Sequence, residues 1–154
     1  MIKIEDVVSV LINTAIDMNI YLNSTKVNKL LYLVYGVYLY NFEPLFSHTK
    51  DKPRLFKNGP VFDYIQKYEE NKIDFENKNN HKVKLSRNIR SIIKIVLKSF
   101  GKYDAVPLAN WSMRKGGAWY EASKKDTSMK WGIIIDDELI EKEMDKIITK
   151  RIEV

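Results

Sequence analysis

His48 and His81 are the side chains in this sequence best suited to hold a metal or move a proton near neutral pH. Both fall in stretches without helical or strand periodicity, and neither has a carboxylate at ligand spacing on a regular element. A His-based metal site is therefore not expected. The chain has no cysteine, which excludes disulfides, Cys-ligated zinc, iron–sulfur clusters and thiol catalysis. The hydroxyls of Ser24, Ser47, Ser86, Ser91 and Ser112 lie in no G-x-S-x-G elbow and read as caps, loop and helix surface. Carboxylates cluster at Glu69-Glu70 and Asp136-Asp137-Glu138, where adjacent acids at helix ends complement the helix dipole more readily than they form a catalytic pair. The stretch RKGGAW, residues 114–119, lacks the Lys-Ser/Thr and the preceding strand of a phosphate-binding loop. The residues point to a protein that is not an enzyme and needs no cofactor.

The elements that must position these residues read mostly as helices. Apolar residues at Ile4, Val7, Val8, Leu11, Ile12, Ala15 and Ile16 follow a period of 3.6. A second helix begins after a cap within Asn23-Ser24-Thr25 and is apolar nearly all round, as befits the middle of a domain. Within it Gly36 predicts close approach of another helix. Tyr32, Tyr35, Tyr38 and Tyr40 suit a contact surface or core packing with hydroxyls reaching the edge; the second is preferred for Tyr32 and Tyr35. Short extended arms around residues 49–53 predict a small β-hairpin. The Asn58-Gly59-Pro60 corner then predicts a turn into a third helix, with Pro60 at its first position and Glu70 near its end. An anion site at that helix start, helped by Lys57, is a weaker reading than simple turn geometry.

Residues 71–84 are polar and unpatterned, the mark of a mobile loop. Ser86 caps a fourth helix that Gly101 ends, Asp104 opens a fifth that Gly116-Gly117 stop, and AWYEASKK, residues 118–125, forms a sixth piece. An extended WGIIID and a terminal helix, acidic at its start and basic at its end, complete the chain. Trp111, Trp119 and Trp131 fall in the C-terminal third, where they suit plugging the core opposite the second helix. The expected fold is mainly α: one compact domain over 1–154, with about six helices and a small β-hairpin before the Gly-Pro corner.

At 154 residues and 45% hydrophobic the chain can bury a core without staples. No export signal is visible at the N-terminus, and the most apolar run, residues 30–40, is too short and too tyrosine-rich to span a bilayer. A cytoplasmic location without membrane contact is expected. The formal charge of +6 would attract nucleic acid or an acidic protein. Lysine far outnumbers the five arginines, however, and abundant Lys, Asn and Ile fit an AT-rich coding sequence, so nucleic acid is not the favoured partner.

Three segments, STKVNKLLYLVYGVYLYNFEPLF, LFKNGPVFDYI and KYDAVPLANWSMRKGGAWYEA, resemble the Panacea domain of the SocA-like antitoxins and phage-associated GepA-like proteins. Lys29, Leu30, Leu31 and Tyr32 match the helical motif, Phe46 the arm, and Lys57, Gly59, Pro60 and Val61 the corner, with Phe56 in place of tryptophan. Leu108 and Trp119 match the late motif, which also holds Trp111; Ser112-Met113 stands where the family has Thr-His, Ala118 where it has proline, and Asn28 where it has glutamine. The resemblance implies an antitoxin that silences a cognate toxin by direct protein contact, in some members by recruiting a protease, with these residues as candidate partner contacts. The alternative is a phage or mobile-element protein that inhibits a host defence nuclease by binding it or its nucleic acid.

Overall fold

The 3.6-residue stripes form helices in a computed structural model, which describes residues 1–125 and 131–152 and, within these, side chains up to residue 149. The order is α1 (Ile4–Asp17), α2 (Ser24–Asn41), β1 (Arg54–Phe56), β2 (Gly59–Val61), α3 (Asp63–Gln66), α4 (Arg87–Phe100), α5 (Ala105–Ser112), α6 (Ala118–Lys125) and α7 (Asp137–Ile152). The molecule is mainly helical with one two-stranded antiparallel hairpin, as the sequence predicts. No helix among the described residues is long and apolar enough to cross a membrane.

Helix α2 is the hub. Asn23 caps it by accepting from the Lys26 amide at 2.9 Å, and its all-round apolar surface packs against α4, α5, α7 and β2. Leu30, Leu31, Tyr32, Val34 and Tyr35 are all buried. Gly36 lets α7 approach, since a Cβ there would lie 2.6 Å from the Met144 methyl. Helix α4 buries Ile89, Ile92, Ile93, Val96 and Leu97, and Ser86 caps it by accepting from the Ile89 amide at 3.3 Å. Gly101 follows its last residue. α7 carries Asp137 and Glu138 in its first turn; the side chains of Lys150 and Arg151, expected as its basic end, lie outside those described.

Five expectations need correction. Residues 49–51 form a 3-10 turn, and the hairpin is instead β1 with β2, turning at Lys57-Asn58 with Phe56 opposite Gly59. Its place is set by long-range pairing that local patterns do not encode: the Leu55 amide donates to Ile133 O at 2.8 Å and the Gly132 amide to Leu55 O at 2.7 Å. The extended segment after Trp131 thus lies along the other edge of β1. Pro60 is a strand residue, not the first residue of a helix. Because Leu55 spends both backbone groups on residues 132–133, its partner Pro60 has no ladder bond to donate, so the missing N–H costs nothing.

Helix α3 is correspondingly short, starting at Asp63 and ending at Gln66 well before Glu70. Helix α5 ends at Ser112, before Gly116 and Gly117. The 71–84 loop lacks regular structure but is docked. Asn13 in α1 reads the Asn79 backbone in both directions, accepting from its amide at 2.9 Å and donating to its carbonyl at 3.1 Å, while Ser9 bonds the Asn79 side chain. Ile73, Phe75 and Val83 pack on the core.

Candidate functional site

Most residues that carry the resemblance meet where α2, the hairpin and α5 join. The Lys29 ammonium, only 3% exposed, donates to Pro60 O at 2.9 Å. One position earlier, Asn28 accepts from the Phe62 amide at 2.9 Å. From the far side, the Trp119 indole donates to Phe56 O at 2.8 Å. Three side chains from two helices therefore hold the hairpin by its backbone. Gly59 has φ +115, and an added Cβ would fall 2.7 Å from Ser112 Oγ and 2.8 Å from Lys29 Cε. Only glycine satisfies both the backbone and the space there.

Burial without a carboxylate lowers the Lys29 pKa to about 8, because the charged form gives up hydration that one carbonyl does not replace. A lysine near neutrality is a potential base or nucleophile, but Gly59 and Pro60 close over it. Ser112 is likewise enclosed and donates to Ala109 O at 2.7 Å. Ser47, Ser91 and Ser112 are each followed by lysine at the spacing of serine acyl-transfer enzymes. Ser112 points inward while Lys115 is exposed, and Ser91 and Lys94 both face solvent on α4. Among the described residues no group of three or more His, Cys, Asp or Glu is placed to hold a metal.

The α2 tyrosines anchor α7. The Tyr32 hydroxyl donates to Glu143 Oε1 at 2.5 Å, Tyr35 to Asp137 at 2.6 Å and Tyr40 to Asp145 at 2.8 Å. Glu143 is buried, and its other oxygen lies 2.8 Å from Arg114 Nη1. That contact is an ion pair without hydrogen-bond geometry, and the same Nη1 also donates to Trp111 O at 3.0 Å. The guanidinium also stacks on Trp111, 3.8 Å from the ring centroid. Burial first, then the neighbouring carboxylate, pushes the Tyr32 and Tyr35 hydroxyls well above the usual tyrosine range.

Lys29, Leu30, Leu31, Tyr32, Phe46, Gly59, Pro60 and Ser112 are buried, so they cannot touch a partner in this conformation, and their expected contact role is corrected to packing. Phe46 stacks with Tyr35 and Phe62 inside the core. What reaches solvent is the hairpin tip: Lys57 and Asn58 are exposed, and Phe56, Val61, Trp111 and Trp119 are half-buried. Trp111 and Trp119 pack on the core as expected, whereas Trp131 is 41% exposed. Sequence reasoning did not single out Asn13, Glu143 or Arg114, whose partners lie far along the chain; a polar Asn within an apolar stripe was the one local signal for Asn13. No protein-family model matches the chain, and neither a curated protein nor a solved structure is a significant match to it.

Proposed function

We propose that this chain is an antitoxin-like binding protein of the SocA type that neutralises a cognate toxin by direct contact, with the hairpin tip as the contact. The observation that carries the reading is the division among the residues behind the resemblance. Lys29, Gly59, Pro60 and Trp119 are spent on fixing the hairpin from within, and the element they fix projects Lys57 and Asn58 outward. Three side-chain bonds to the backbone of a short hairpin restrict it before any partner arrives, and such preorganisation lowers the entropy cost of binding. Lys57 at the tip suits an acidic partner surface.

Expression of the adjacent reading frame in a host cell, with and without this chain, tests the proposal. The expected result is growth arrest by the neighbour alone and growth restored by co-expression. A neighbour that is harmless alone, or toxicity that this chain does not relieve, removes the antitoxin reading.

A further inference from the structure

The net charge of +6 is not spread over the molecule. Between Glu76 and Asp104 there is no acidic residue. The docked loop there carries Lys78, Lys82 and Lys84, α4 carries Arg87, Arg90, Lys94 and Lys98, and Lys102 follows, all of them exposed. These eight exceed the whole formal charge, so the remainder of the chain is slightly acidic. Because the buried stripe of α4 faces α1 and α2, its cations are confined to the opposite side. At 100° per residue the four on α4 fall within an arc of about 80°, in a row about 17 Å long.

Like charges at i, i+4, as at Arg90, Lys94 and Lys98, cost an isolated helix about 0.2–0.5 kcal/mol per pair. Among the described residues no acid pairs with Arg87, Lys94, Lys98 or Lys102, although Asp17 holds Lys78 and Arg90 donates to Val83 O at 2.6 Å. We infer that this face binds the phosphate backbone of a nucleic-acid duplex without reading its sequence, a property that does not depend on the antitoxin reading. A row of cations at one-turn intervals offers a charged site about every 6 Å along a rigid rod, a repeat suited to successive phosphates. Lysine predominates, which suits point-charge contact more than bidentate base recognition. Along the row itself α4 presents no aromatic ring to stack unpaired bases, and the exposed Tyr103 beyond its end lies under the Lys102 ammonium, 5.3 Å from the ring centroid, which favours a duplex over a single strand. Lysine is also depleted at protein interfaces, which favours phosphate over an acidic protein.

Fluorescence anisotropy with the purified chain and labelled 30-base-pair DNA of two unrelated sequences tests the inference across 50–200 mM salt. Equal binding to both is expected, with log K falling against log salt at a slope of about −3 to −4 if four phosphates are neutralised. The triple variant R87Q/K94Q/K98Q is expected to lose at least tenfold in affinity and most of that slope. A control with the same charge loss elsewhere, K3Q/K50Q/K142Q, is expected to bind within about threefold of the parent chain. Absence of binding at 50 mM salt, or equal losses in the two variants, overturns the assignment. Tighter binding to a polyglutamate peptide than to DNA also overturns it, by giving the face to an acidic protein.

Discussion

Gly59 and Lys29 meet at a close-packed junction between the hairpin and α2, and each makes a separate prediction. Replacement of Gly59 by alanine adds a Cβ at φ +115 against Ser112 Oγ and Lys29 Cε, so destabilisation of about 2 kcal/mol or more is expected in urea unfolding. Gly36→Ala is expected to cost at least about 1 kcal/mol less, since it meets the flexible thioether of Met144 and gains helix propensity. Lys29 governs an alkaline response. Its folded pKa of about 8 lies below the unfolded 10.5, so the unfolded chain binds more protons between those values and stability rises with pH there. Tyr32 and Tyr35, raised in the fold, oppose this above pH 10, where the unfolded chain loses protons that the native state keeps. Urea midpoints are thus expected to climb from pH 8 to about 10 and then fall. Lys29→Met is expected to flatten the climb, and an unchanged climb would contradict the burial argument. The need for glycine was legible in the Asn-Gly-Pro stretch; the partner of Lys29, 31 residues away, was not.

Elements whose signal is local were legible, and those fixed by distant partners were not. Helices α1, α2, α4, α6 and α7 follow stripes and caps that each segment contains within itself. The hairpin was expected too early because the arms on either side of residues 49–53 look extended in isolation, while pairing with residues 132–135 decides where β1 lies. The 71–84 loop looked mobile because polarity is all its own sequence displays, yet Asn13 and Ser9 on α1 supply its anchor. Asn13→Ala removes two bonds to the Asn79 backbone, so a loss of about 2 kcal/mol is expected, together with faster proteolytic cleavage within 74–84. Unchanged cleavage would mean that the apolar contacts of Ile73, Phe75 and Val83 hold the loop by themselves.

The whole molecule is a helical scaffold built around α2, with α7 fastened to it by three tyrosine-to-carboxylate bonds and the hairpin pinned by three bonds from α2 and α6. Buried Lys29, Ser112 and Glu143, each at most 3% exposed, belong to that scaffold. The residues behind the family resemblance suggested a partner surface; folding turns most of them inward and leaves the tip outside. Charge segregation on α4 was present in the sequence but hidden by averaging over the chain, and a running count of charge would have found it. The central claim is that a preformed hairpin is presented to a protein partner. It is tested most directly by hydrogen exchange on the chain alone and co-purified with the product of its adjacent reading frame. Slower exchange at Lys57 and Asn58 in the complex is the predicted result. Protection confined to other surfaces, with residues 54–61 unchanged, would contradict it.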